Sequence, residues 1–168
     1  MPFTLVPDYI FDPFDACCVD FLKKIGVSGI VLDIDNTLEP YENPSPGPKV
    51  VEWLDSLLAN GIKAAIVSNN DLSRVEKFNR SLGLPAYAKG AKPFKKNVLR
   101  AIKDMGIDKS SAILMGDQIF TDVWAAKNAG IPAILVSPIR DKRDVFTRFK
   151  RLLERPIVKK YYRKRDKI

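Results

Sequence analysis

Two carboxylates one residue apart, Asp33 and Asp35, close an apolar run in "SGIVLDIDNTLEPY", residues 28–41. Like charges this close repel, so the pair is costly unless a cation or a shared proton neutralises it. Further polar clusters follow along the chain: Ser68, Asn69 and Asn70 in "IVSNN", Lys89 and Lys92 in "KGAKP", and Asp117 and Asp122 in "GDQIFTD". Carboxylates, a hydroxyl and an ammonium together suit a hard divalent cation and a phosphate. Magnesium takes oxygen ligands, and lysine meets phosphoryl oxygens as a point charge. Taken singly, these residues have plainer readings. An aspartate at a strand end can cap a helix, Ser-Asn-Asn can be only a turn, and Lys92 can be solvated. The Asp33/Asp35 pair resists that treatment, because a cap needs one carboxylate.

The composition narrows the chemistry. There is no histidine, which removes histidine nucleophiles, bases and metal ligands together. Cys17 and Cys18 are neighbours, so a disulfide between them would be strained and they make no zinc site. They read as small apolar residues on a helix. Cys18 precedes Lys24 where a cysteine phosphatase loop would need arginine, and no G-x-G-x-x-G follows the first strand. With 46% apolar and 29% charged residues, the chain has the balance of a soluble globular protein. No apolar run approaches the ~20 residues that cross a bilayer. The N-terminal "MPFTLVPDYIFDPF" lacks a basic leader, and a cytoplasmic location is expected. The net charge of +8 sits in the tail: residues 140–168 hold 13 Lys and Arg against 4 Asp and Glu. An anionic partner is therefore a question about the tail.

These residues need elements to position them. "DACCVDFLKKI" predicts a helix within residues 14–25, closed by Gly26. "GIVLDI" reads as a buried strand, and "ENPSPGP" as a rigid loop. "KVVEWLDSLLANG" reads as a helix with Val50, Val51, Trp53, Leu54, Leu57 and Leu58 inward. Strands follow at "IKAAIVSNN", "PAYA", "SAILMGDQ" and "IPAILVSP". Helices fall between them at "DLSRVEKFNRSLGL", capped by Asn70 or Asp71, at "KPFKKNVLRAIKDMGI", entered through Pro93, and at "IFTDVWAAKNAG". The alternation predicts an α/β fold: a three-layer, Rossmann-like parallel sheet of about five strands with helices on both faces. Parallel strands bring the polar clusters to one edge, where such sheets bind ligands. Residues 1–168 are read as a single domain with its core at about 28–138 and a basic amphipathic helical extension at 140–168.

"DIDNTL", "SNN", "KP" and "GDQIFTD" resemble, in order and spacing, motifs I to IV of the haloacid dehalogenase (HAD) superfamily. "LVPDYI", "AKPFKK", "GDQIFTDVWAAKNAG" and the basic tail are similar to one branch, the YqeG-like phosphatases of subfamily IIIA, related to the mitochondrial phosphatidylglycerophosphate phosphatase. The resemblance implies a magnesium-dependent phosphatase. Asp33 would be the nucleophile, forming an aspartyl-phosphate, and Asp35 the general acid and base. Ser68, the Asn69 amide and Lys92 would bind the phosphoryl group. Magnesium would be held by Asp33, the Asp35 backbone carbonyl and Asp117, with Asp122 in support. Thr37 would fix the loop after the first strand, and Asn36 stands where many relatives carry glycine.

The gaps from Asp33 to Ser68 and from Ser68 to Lys92 leave no room for a cap domain, and capless members of the superfamily tend to act on bulky substrates. A lipid-borne phosphomonoester such as phosphatidylglycerophosphate is the expected substrate. In the tail, Val145, Phe146, Phe149, Leu152 and Leu153 fall at helical spacing among Arg148, Lys150, Arg151 and Arg155. Such a helix suits the inner face of an anionic membrane, or its apolar stripe packs on the sheet with the charges solvated. Nucleic acid is a less favoured partner for the tail. The competing functions are a phosphatase of nucleic-acid ends or phosphoproteins, and a non-catalytic HAD-fold module that binds RNA or membrane.

Overall fold

A computed structural model describes residues 3–140 and 145–167. Six parallel strands form one sheet in the order β1-β6-β5-β2-β3-β4. They are β1 (Tyr9–Phe11), β2 (Gly29–Leu32), β3 (Lys63–Val67), β4 (Ala86–Tyr87), β5 (Ala112–Gly116) and β6 (Ala133–Val136). The helices are α1 (Val19–Lys24), α2 (Pro48–Ala59), α3 (Leu72–Asn79), α4 (Lys96–Asp104), α5 (Trp124–Ala129) and α6 (Val145–Arg165).

Side chains alternate across the pleat, so each strand feeds two cores. Ile30, Leu32, Ile66 and Met115 face a layer made by Leu22 of α1, Leu54 and Leu57 of α2, and Phe78 of α3. Val31, Ala65, Leu114 and Leu135 face Val98 and Ile102 of α4 and Ala126 of α5. Both faces are covered, which is why the central strands are apolar throughout. From β2 the chain passes to β3 on one side and later returns to β5 on the other. The crevice where these connections diverge opens between the ends of β2 and β5.

The structure differs from the sequence-based expectations in several places. A sixth strand, β1, joins the sheet beside β6. It is three residues long and only half-buried, too short to show a period. Asp8 pins it, its carboxylate accepting from the Ala133 amide at 2.8 Å and pairing with Lys127 at 2.6 Å. The helix expected over 14–25 is broken: a tight 3₁₀ turn at Phe14–Ala16 precedes α1. Cys17 is buried between the two pieces and Cys18 stands exposed at the α1 N-cap, so neither lies within a helix. The Trp53 indole donates to the Cys17 carbonyl at 2.8 Å, satisfying a backbone group that a continuous helix would have used. Leu58 of α2 is exposed and Val51 half-buried, because the inward stripe is narrower than the apolar run. α4 begins at Lys96, three residues after Pro93. Asp71 caps α3, accepting from the Arg74 amide at 2.8 Å.

The tail forms the long helix α6, while the start of the extension at 141–144 lies outside the described residues. Its apolar stripe does not pack on the sheet: Val145, Phe146, Phe149, Leu152 and Leu153 are 46–84% exposed. The helix is held instead by Glu154, which is buried, and by Ile157 and Val158, which touch the core. Among the described residues no helix is long and apolar enough to cross a membrane.

Candidate active site

The strand ends converge as the parallel order requires. Asp33 follows β2, Ser68 follows β3, and Asp117 follows β5. Lys92 comes from the loop after β4, and its ammonium lies 2.9 Å from Asp33 Oδ1 and 2.6 Å from Asp122 Oδ1. Ser68, Lys92, Asp117 and Asp122 are all buried, and Asp33 nearly so. Asp122 reaches the group from a wide π-type turn at Ile119–Val123, a distortion that often marks functional positions. Gly116 permits this approach, because a Cβ there would overlap the Asp122 carboxylate.

The electrostatics follow from burial. Burial raises the Asp33 pKa above the usual carboxylate value, and the Asp122 charge adds to it, against the pull of Lys92 and the Thr37 hydroxyl. Asp117 is raised well above that value by burial, then by Asp33 and Asp122, with Arg151 opposing. Burial would lower the Lys92 pKa, but the Asp122 and Asp33 carboxylates and their hydrogen bonds outweigh it, and the net shift is upward. Oxygens of Asp33, Asp117 and Asp122 all lie within 4.8 Å of one another, so the three could hold a metal ion. A cluster of three hard oxygen donors of like charge, held close together, fits a small divalent cation.

The Asp35 carboxylate stands outside this cluster. Its Oδ1 accepts from Arg74 Nε at 2.9 Å and its Oδ2 from the Asn70 side-chain Nδ2 at 2.8 Å. Asn36, at the residue between the pair and the turn, has φ 62°, a left-handed conformation that asparagine tolerates nearly as glycine does. Thr37 does more than fix the loop: its hydroxyl lies 3.0 Å from Asp33 Oδ2 and 3.2 Å from Asp117 Oδ1. Asn69 is tied to Lys92 in both directions, its side chain donating to the Lys92 carbonyl at 2.9 Å and accepting from the Lys92 amide at 2.8 Å. This clamp sets the direction of the Lys92 side chain. The Ser68 hydroxyl accepts from the Asn70 amide at 3.1 Å and borders the open cleft.

Arg74, Arg151 and Glu154 were not legible as site residues. Arg151 donates to the Asp117 carbonyl at 2.7 Å and to its Oδ2 at 2.9 Å, and Glu154 accepts from the Ile119 amide at 2.9 Å. In the sequence Arg151 and Glu154 belong to a run of tail charges, and Arg74 to an ordinary polar helix face.

A fold with a switch-point crevice, an acidic cluster and a lysine at its centre defines a hydrolase of the haloacid dehalogenase type. The sequence profile described as haloacid dehalogenase-like hydrolase matches residues 30–136, and the chain belongs to that family. It is 39% identical over 143 residues to the probable phosphatase YqeG of Bacillus subtilis, covering 85% of this chain and 83% of that protein. It is 27% identical over 157 residues to the chloroplastic/mitochondrial phosphatidylglycerophosphate phosphatase 1 of Arabidopsis thaliana, covering 86% of this chain and 44% of that protein. Among solved structures, an uncharacterized protein from Listeria monocytogenes aligns with a TM-score of 0.54 at 21% identity, over 70% of this chain and 85% of that one. That likeness concerns the fold.

Proposed function

We propose that this chain is a magnesium-dependent phosphomonoester hydrolase working through an aspartyl-phosphate on Asp33. The carrying observation is the convergence of an ammonium, a hydroxyl and two further aspartates on the Asp33 carboxylate. An Asp33 oxygen attacks phosphorus in line, the bond to the leaving oxygen breaks, and water later releases phosphate from the aspartyl group. Asp35 gives a proton to the leaving alkoxide and takes one from the attacking water, a contribution of roughly 10²–10⁴-fold. To do so its side chain must turn away from Arg74 and Asn70, where both its oxygens accept. Lys92 offsets charge on the equatorial oxygens, with the Ser68 hydroxyl and Asn69 amide beside it. Magnesium would be held by Asp33, the Asp35 carbonyl and Asp117, with Asp122 in support. When bound it supplies positive charge that offsets the repulsion between these carboxylates and the phosphoryl group.

The proposed substrate is a phosphomonoester on a membrane lipid, phosphatidylglycerophosphate in the first instance. Support comes from the Arabidopsis relative's named activity and from the α6 surface, where five exposed apolar residues lie among basic ones. Basic residues near an anionic surface contribute ~1 kcal/mol each. Such a helix would hold the protein peripherally on the inner face of the membrane.

The test is phosphate release from vesicles containing phosphatidylglycerophosphate, with magnesium and with chelator, for the parent protein and Asp33→Asn. Magnesium-dependent release lost in the variant is expected. Release that survives Asp33→Asn removes Asp33 as nucleophile, and faster release from a 3′-phosphorylated oligonucleotide moves the substrate to nucleic-acid ends.

A further inference from the structure

The cleft above Asp33 has a wall that the core motifs do not supply. Its volume is about 390 Å³, and its floor is made by Asp33, Asp35 and Ser68. Phe146, Lys150 and Arg151 of α6 close one side. That volume falls within the ~300–1,000 Å³ typical of ligand pockets. It exceeds what a phosphoryl group alone requires.

Two polar anchors hold this wall in place, Arg151 on Asp117 and Glu154 on the Ile119 amide. Lys150 lines the cleft beside these anchors, its ammonium 4.7 Å from the centre of the Phe146 ring. Among the described residues it pairs with no carboxylate. The acidic residues lining the cleft are already engaged: Asp33 by Lys92, Asp35 by Arg74 and Asn70, and Glu154 by Arg151. The charge of a transferring phosphoryl group has its own cation in Lys92. A lining cation with no carboxylate of its own among the described residues therefore answers a second negative charge that arrives with the substrate.

We propose that α6 acts as the substrate-recognition wall of this capless fold, with Lys150 binding a second anionic group of the phosphomonoester beyond the leaving oxygen. A phosphodiester is the group that a glycerophospholipid headgroup would present there. The inference rests on the cleft being the phosphomonoester site. It adds a specificity-determining residue from outside the four motifs.

The test uses binding, so that it does not depend on turnover. In the full-length Asp33→Asn protein with magnesium, calorimetry compares glycerol 1-phosphate with glycerophosphoglycerol phosphate, which carries the additional phosphodiester. The diester-bearing ligand is expected to bind about 10-fold more tightly, the scale of one charge-assisted contact of ~1.4 kcal/mol. Lys150→Ala is expected to erase that preference, Lys150→Arg to keep it, and Lys160→Ala, on an exposed part of α6, to leave it unchanged. Equal affinities in the Asp33→Asn background, or a preference that survives Lys150→Ala in that background at an unchanged melting temperature, overturns the inference. If the Asp33→Asn protein shows the preference while the protein with Asp33 intact releases no phosphate, the proposed hydrolysis falls and this inference stands.

Discussion

Arg151 of α6 donates through Nη2 to Oδ2 of Asp117 at 2.9 Å and through Nη1 to the same residue's carbonyl at 2.7 Å. One guanidinium thus satisfies a buried carboxylate and the end of a central strand, and ties the basic helix to the floor of the cleft. Burial would lower the Arg151 pKa, but the Asp117 and Glu154 carboxylates together raise it, so the guanidinium stays charged throughout the accessible pH range.

Arg151→Met should loosen this helix, leaving Glu154, Ile157 and Val158 to hold it. Removing one partner of a buried pair costs about 3–5 kcal/mol, and the partial exposure of Arg151 reduces the expected loss to about 1–3 kcal/mol. Urea unfolding should register that loss. Limited trypsin digestion should cut within 145–165 sooner than in the parent. A tail cleaved at the parental rate would show that the Asp117 contact does not hold α6.

Asp35→Asn should discriminate between leaving groups. An alkoxide needs a proton to depart at neutral pH, whereas p-nitrophenolate does not. The loss in kcat/KM is therefore expected to be larger for an alkyl phosphate than for p-nitrophenyl phosphate, by roughly 10²-fold. Equal losses on both substrates would remove Asp35 from the acid role in the first step and leave it only with the water.

Cys17 gives a pH prediction that is independent of the site. Burial, with a smaller contribution from Cys18, pushes its thiol from 9.0 up to about 12. The folded-state value lies above the unfolded one, so the unfolded chain loses this proton first. The stability contributed by the neutral thiol is whole below pH 9 and falls as pH rises toward 12. At pH 8 a thiol reagent should label exposed Cys18 quickly and Cys17 only on unfolding. From pH 9 to 11 the melting temperature should fall less steeply in Cys17→Ala than in the parent. Parallel slopes would show that Cys17 is not a source of alkaline sensitivity.

Local order was legible where each residue's neighbours in sequence decide its state. The apolar strands, the Asp71 cap and the clustering of polar residues at strand ends follow from periodicity and from the parallel rule, which places consecutive strand ends on one edge. The meeting of Lys92 with Asp33 was expected on that ground, and the structure brings them within 2.9 Å. β1 escaped because three half-buried edge residues carry no period, and the break at Cys17 because its carbonyl is satisfied by Trp53, 36 residues away.

The sequence by itself determined the layered α/β fold and the set of carboxylates, hydroxyl and lysine gathered at one sheet edge, since alternation and strand polarity are local properties. Only the tertiary structure decided which partners those groups take. Arg74 on Asp35, Asn69 clamping Lys92, and α6 docking by Arg151 and Glu154 with its apolar stripe facing outward are long-range pairings. A charged side chain reads alike in sequence whether it ends in water or on a buried carboxylate, and burial alone makes the difference.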